Sequence, residues 1–204
     1  MDSKDTYRTL KQISKGVYRE KGSKFIAIAL PVYSEFEVNE QLKSIRREYH
    51  DASHWCYAFR FGNNKLIFRF NDDGEPSGTA GKPIFGQILS NDLNNVLIIV
   101  VRYFGGTRLG VSGLINAYRT AAKEALSTAE IIEKTIDDIC RIDFDYQYMN
   151  DVQKILKEIK VTQQSQNYDK RCSIVFRIRK NKTDEIISRL KKINNATVEL
   201  LETL

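Results

Sequence analysis

The stretch Asn95–Lys123, NVLIIVVRYFGGTRLGVSGLINAYRTAAK, decides how this chain is read. Val96 to Val101 is an unbroken apolar run of strand length, which implies a central strand covered on both faces. The run ends at Arg102. A turn rich in glycine follows, with Gly105, Gly106, Gly110 and Gly113, and an Ala-rich helical pattern begins at Gly113 with Leu114, Ala117, Ala121 and Ala125 on one side. A strand that feeds a glycine loop and then a helix amino terminus offers backbone N–H groups to an anion. Arg102 and Arg108 flank this loop, and Arg119 and Lys123 lie further along the helix. Tyr103 and Phe104 add stacking surfaces of the kind that bases use. A second glycine-dense loop, Asp72–Lys82 (DDGEPSGTAGK), adds three carboxylates. Glycine at that density implies close backbone approach, to a ligand or to another part of the fold.

Working outward, Lys24 to Val32 reads as a strand. Ser34 and Glu37 have the spacing of a capping box for a helix to about Tyr49, with Phe36, Leu42, Ile45 and Tyr49 on its apolar face. His54 to Phe61 is a strand in which Trp55, Tyr57, Phe59 and Phe61 take one face and His54, Cys56, Ala58 and Arg60 the other. Leu66, Phe68 and Phe70 repeat the pattern, with Gly62-Asn63-Asn64 as the hairpin. Pro83 suits the first turn of a short helix with Ile84, Ile88 and Leu89 inward. Beyond a boundary near Ile131 to Lys134 the pattern becomes strand (Ile136–Tyr146), helix (Tyr148–Ile159), two strands (Val161–Tyr168 and Cys172–Arg179), helix (Thr183–Ile193) and strand (Thr197–Leu201). That is the βαββαβ order of a ferredoxin-like domain. The expectation is an α+β chain of two domains, 1–132 and 133–204.

Composition excludes several classes. Of 204 residues 42% are hydrophobic, enough for a packed core. The net charge of +6 permits an anionic partner, but it is spread evenly: 18 basic against 14 acidic residues up to Ile132, and 14 against 12 after it. Cys56, Cys140 and Cys172 are too few and scattered for a disulfide framework or an iron–sulfur cluster. The first ten residues, MDSKDTYRTL, contain no apolar segment of a secretion signal, and no run approaches membrane-spanning length. The chain reads as cytoplasmic, with no membrane contact and no cofactor.

Several motifs are tested and fail. Gly78-Thr79-Ala80-Gly81-Lys82 resembles part of a P-loop, but Pro83 stands where Ser or Thr is needed and Pro76 where a glycine is needed. No GxGxxG occurs around Gly105. His50, His54 and Cys56 lack the paired spacings of a zinc site. Cys56 with His54 as base would make a nucleophile pair, without an orienting third residue in view. Asp72, Asp73 and Glu75 remain candidates for acid–base work or for Mg²⁺, and the bland alternative is an Asp-capped turn. Arg102 would bind a phosphate, or pair with Asp72 or Asp73 and lock the two glycine loops together, and the two roles are compatible.

NDDGEPSGTAGKP followed by VVRYFGGTRLGVSGLINAY closely resembles the signature of the IMPACT family, in its bacterial, YigZ-like two-domain form. KGSKFIA around Ser23 and DASHWCYAFRFG around His54 match further blocks. The resemblance implies an amino-terminal domain similar to domain 2 of ribosomal protein S5 and a carboxy-terminal domain similar to the late domains of elongation factor G. It also implies a role in regulating translation, as in the family's eukaryotic members, although their additional amino-terminal RWD domain has no counterpart here. One position departs from the family pattern LGxGGL: Ser112 stands for its first paired glycine, and would N-cap the following helix.

These readings converge on a cytoplasmic factor that binds RNA or the ribosome and modulates translation, with a protein partner in translation compatible and no DNA specificity. Its phosphate contacts would come from Arg102, Tyr103, Gly105, Gly106, Arg108, Gly110, Arg119, Lys82 and Thr79. The alternative is an enzyme acting on a small phosphorylated or anionic substrate, with Asp72, Asp73, Glu75 and His54 as its catalytic candidates and the acidic loop as acid–base or Mg²⁺ site.

Overall fold

A computed structural model describes residues 5–63, 66–168 and 171–204, with Tyr168 described by its backbone alone. The chain divides into two compact units, Arg8–Glu133 and a second that joins the residues up to Tyr7 with Lys134–Leu204. Residues 5–7 therefore group with 134–204 and not with 8–133. The carbonyl of Asp5 accepts the Ile136 N–H at 2.7 Å, and its carboxylate pairs with Arg179.

The first unit is built on a five-stranded sheet. Its strands are β2 (Ser14–Glu20), β3 (Ser23–Pro31), β4 (His54–Phe61), β5 (Ile67–Asn71) and β6 (Val96–Tyr103), in the spatial order β2-β3-β6-β4-β5. Each neighbouring pair is antiparallel. The central place falls to β6 because Val96 through Val101 are all fully buried and can pack on both faces. Leu97, Ile99 and Val101 join Phe59 and Phe61 against helix α1 (Glu35–Glu48). Val96, Ile98 and Val100 face the other way, with Cys56 and Ala58, towards α2 (Gly81–Ser90) and α3 (Gly110–Ser127). The alternation along β4 thus divides two separate cores. β1 (Thr6–Leu10) and β7 (Ile131–Thr135) form a two-stranded sheet of their own. The expected hairpin between β4 and β5 includes Asn64, which lies outside the described residues.

Several local expectations change. Ser34 does cap α1 by accepting from the Glu37 N–H at 3.2 Å. Phe36, however, is exposed, because Val38, Leu42, Ile45 and Tyr49 make the inward stripe and residue 36 lies roughly 200° from 38 around the helix. Leu89 is half-exposed for the same reason, one step round from the buried Ile88. α3 starts at Gly110, where a positive φ of 72° turns the chain directly into the helix. Ser112 therefore sits inside the first turn and caps nothing, and the N-cap position is Leu109. α5 ends at Leu190, short of Ile193.

The second unit contains β8 (Asp137–Phe144), α4 (Met149–Ile159), β9 (Thr162–Tyr168), β10 (Cys172–Arg179), α5 (Thr183–Leu190) and β11 (Thr197–Thr203). The sheet order β11-β8-β10-β9 is that of the ferredoxin-like fold. Ile142, Phe144, Ile174 and Phe176 pack with Val152 and Leu156 of α4 and with Ile186 and Leu190 of α5.

Candidate functional site

Sheet register assembles the site. Arg102, near the end of β6, pairs with Phe25 on one side and His54 on the other. All three lie in one row, on the face that meets α2 and α3. The Asp72–Ala80 loop then crosses this row, and its construction determines which carboxylate reaches it. Asp72 accepts three backbone N–H groups, from Gly78 at 2.8 Å, Ala80 at 2.9 Å and Gly81 at 2.8 Å. It thereby supplies, from outside, the side-chain cap that α2 lacks at Ala80. Asp73 accepts from the Trp55 N–H at 2.8 Å and from Arg46 at 2.6 Å. Asp73 and Gly74 have positive φ values of 44° and 87°, and this reversal turns Glu75 inward.

Glu75 is the carboxylate at the centre. Its side chain is 4% exposed, and Oε1 accepts from Arg102 Nη1 at 2.5 Å. The same oxygen accepts from the Tyr118 hydroxyl at 2.7 Å. His54 Nε2 lies 3.9 Å from it. Arg102 is sandwiched between the rings of Phe25 and Phe104, at 5.4 and 5.5 Å, and its Nε is buried without a hydrogen-bond partner. The ion pair therefore joins the two glycine loops through Glu75, not through Asp72 or Asp73. Of the catalytic candidates, Glu75 and His54 are brought together, whereas Asp72 and Asp73 hold the loop. Among the described residues, no group of three or more His, Cys, Asp or Glu is arranged to hold a metal ion.

The histidine tautomer follows from its neighbour. His54 Nδ1 lies 2.8 Å from the Asp73 carbonyl, which can only accept, so the network assigns the proton to Nδ1. In the neutral ring Nε2 then carries the lone pair. Cys56 is sealed instead: it is fully buried, and its thiol donates to the Asp72 carbonyl at 2.9 Å. Burial pushes its pKa far up, which removes the thiolate a nucleophile would need. Burial likewise raises the pKa of Tyr118, with Cys56 and Glu75 adding to the effect.

A cavity of about 450 Å³ opens beside this row. His54, Glu75 and Arg102 line it together with Arg108 and the start of α3 at Gly110. The rest of its surface is apolar, from Pro76, Phe104, Leu109, Val111 and Leu114.

The expected phosphate contacts separate into three groups. Four have a polar group engaged within the protein. Arg102 Nη1 holds Glu75, the Tyr103 hydroxyl donates to Asp51 at 2.8 Å, the Gly105 N–H donates to Ser23 at 3.1 Å, and the Thr79 hydroxyl donates to Pro76 at 2.6 Å. Gly105 is glycine because a Cβ there would lie 1.9 Å from the Gly22 carbonyl carbon. Gly106 and Gly110 shape the loop through positive φ values of 83° and 72°. Arg108, Arg119 and Lys82 are exposed and make no ion pair among the described residues. Tyr118 was missed as a site residue. Its signal was a large polar-tipped side chain among the alanines of the buried α3 face, between Ala117 and Ala121.

A family model described as the Impact N-terminal domain matches residues 21–126. The IMPACT family member YvyE of Bacillus subtilis is 28% identical, over 97% of this chain and 91% of its own length. The IMPACT family member YigZ of Escherichia coli is 32% identical, over 67% of this chain and 68% of its own. A solved structure titled as that of a hypothetical protein superposes with a TM-score of 0.74 at 24% identity, covering 98% of this chain and 99% of the other. That likeness extends over both units and concerns the fold.

Proposed function

Because this chain belongs to the IMPACT family, we propose that it is a cytoplasmic factor that binds RNA or the ribosome and modulates translation, with phosphate contacts at the loop between β6 and α3. The observation that carries this reading is the pairing state of the basic residues. In the first unit Arg108, Arg119, Lys123 and Lys82 are exposed and hold no carboxylate among the described residues. A phosphate meeting them displaces no internal partner. Ser112, Asn116, Arg119 and Lys123 recur at helical spacing along the exposed side of α3, which extends the basic surface away from Arg108. Among the described residues no helix is long and apolar enough to cross a membrane.

The test is ribosome co-sedimentation and single-stranded RNA binding at low and moderate salt. It compares wild type with Arg108→Ala/Arg119→Ala/Lys123→Ala. Each phosphate contact on a single strand contributes a log–log salt slope of about −0.7. Removing three contacts should flatten the slope by about 2 units. Salt-independent binding, or an unchanged slope in the variant, would overturn the reading.

One observation favours a second reading, an enzyme acting on a small anionic substrate. His54, held through Nδ1 by the Asp73 carbonyl, presents Nε2 beside Glu75 in the cavity. In such an enzyme these two residues would handle the proton, because the carboxylates of Asp72 and Asp73 are already occupied.

A further inference from the structure

We infer that the cavity beside Arg102 binds a small anionic molecule with a compact apolar body, a short-chain carboxylate or phosphate monoester. The inference goes beyond the RNA reading and does not depend on it. Three features combine. The first is charge. Glu75 and Arg102 neutralise one another at 2.5 Å, so Arg108 leaves the cavity with an excess cation. The second is the start of α3. This helix of 18 residues has no side-chain cap, and its first residues, Gly110 and Val111, line the cavity. The third is the buried Nε–H of Arg102, which has no partner although its side chain is only 6% exposed. Such an orphaned donor is costly unless something comes to satisfy it.

The walls argue for more than a bare ion. Pro76, Phe104, Val111 and Leu114 present carbon, and a volume of about 450 Å³ far exceeds that of phosphate alone. They also argue against an RNA backbone as the occupant, since a polyanion gains nothing from an apolar pocket. The anionic head would sit towards Arg108 and the helix start, with the apolar body along Val111 and Leu114. His54 Nε2 would accept from any donor that the ligand carries.

The chain's two histidines make the test direct, because His50 is exposed and serves as internal control for His54. Imidazole resonances of the full chain are followed by NMR during titration with n-butyl phosphate, n-butyrate, inorganic phosphate, n-butylammonium and a uridylate hexamer. The expected result is a saturable shift of His54 alone with at least one of the two alkyl anions, and the preferred one identifies the head group. Burying each methylene should tighten binding roughly fourfold relative to the bare head group. Val111→Glu should weaken binding at least tenfold. It places a carboxylate in the first turn of α3, where an acidic residue suits the helix, so the fold is retained. Arg119→Ala/Lys123→Ala should leave alkyl-anion binding intact while weakening RNA, which separates failure of this site from failure of the RNA reading. The inference is overturned if neither alkyl anion moves His54, or if butylammonium moves it equally. It is also overturned if bare phosphate binds as tightly as its butyl ester, if Val111→Glu has no effect, or if only the uridylate hexamer perturbs His54.

Discussion

Removing Arg102 tests whether the ion pair is the clamp between the two loops. In Arg102→Met the side chain keeps its length and its place between Phe25 and Phe104, but the cation is lost. Glu75, 4% exposed, then keeps only the Tyr118 hydroxyl as a hydrogen-bond donor, with His54 Nε2 still 3.9 Å away. Breaking a buried pair by deleting one partner typically costs about 3–5 kcal/mol, because the remaining charge stays desolvated. The lost ring contacts of the guanidinium add about 0.5–1 kcal/mol each, part of which methionine recovers by packing. Glu75→Gln should cost a comparable amount by stranding Arg102. The double variant Glu75→Gln/Arg102→Met should be less destabilised than the sum of the two, by about 2–3 kcal/mol of coupling. Urea unfolding followed by tryptophan fluorescence reads this out for the first unit specifically, since the chain's single tryptophan, Trp55, lies in β4. If Arg102→Met costs less than about 1 kcal/mol, a value typical of solvated surface pairs, the reasoning fails. Exactly additive single costs would show that the two groups do not act as a pair.

Two further outcomes follow from the same geometry. Gly105→Ala should destabilise by about 1–3 kcal/mol or more, because its Cβ would lie 1.9 Å from the Gly22 carbonyl carbon and both partners are backbone, so that neither can swing aside; a neutral effect in urea unfolding would refute the close approach. Burial pushes the Cys140 pKa from 9.0 up to about 11, so the folded state retains a proton that the unfolded chain releases. Its stabilising share is present below about pH 9 and is lost as pH rises towards 11. Alkaline unfolding midpoints should therefore move up in Cys140→Ala relative to wild type once each is normalised to its stability at pH 7, and an unchanged normalised profile would contradict this.

The parts of the fold that were legible share a physical origin: their burial repeats with the period of the element that carries them. Trp55, Tyr57, Phe59 and Phe61 alternate with Cys56 and Ala58, and the two sets enter different cores. Val96 to Val101 has no polar side, and it lies at the centre of the sheet. The second unit was equally readable, since its amphipathic helices and alternating strands occur in an order that few folds accept. That Arg102 would join the Asp72 and Gly105 loops was one of two readings of that residue, and periodicity could not choose between them. What stayed hidden depends on contacts across long sequence separations. Ser23 and Gly105 meet at a separation of 82 residues, and only the register between β3 and β6 brings them together. Tyr103 and Asp51 meet across 52.

The acidic loop shows most plainly where sequence reading stops. Asp72, Asp73 and Glu75 are chemically alike, and composition assigns the same acid–base candidacy to each. Their roles differ because of two backbone torsions. The positive φ values at Asp73 and Gly74 send Asp72 and Asp73 to backbone N–H groups and leave Glu75 to enter the core. The buried position then requires a cation, and Arg102 meets it from the one strand end that the register places opposite. Consequently Arg102, expected as a phosphate contact at the end of the central strand, holds Glu75 internally through Nη1. The loop residue Arg108, whose charge has no partner among the described residues, is left as the cation that an incoming anion would meet first. The strand that organises the site and the residue that would contact a ligand are therefore adjacent in sequence but distinct in role.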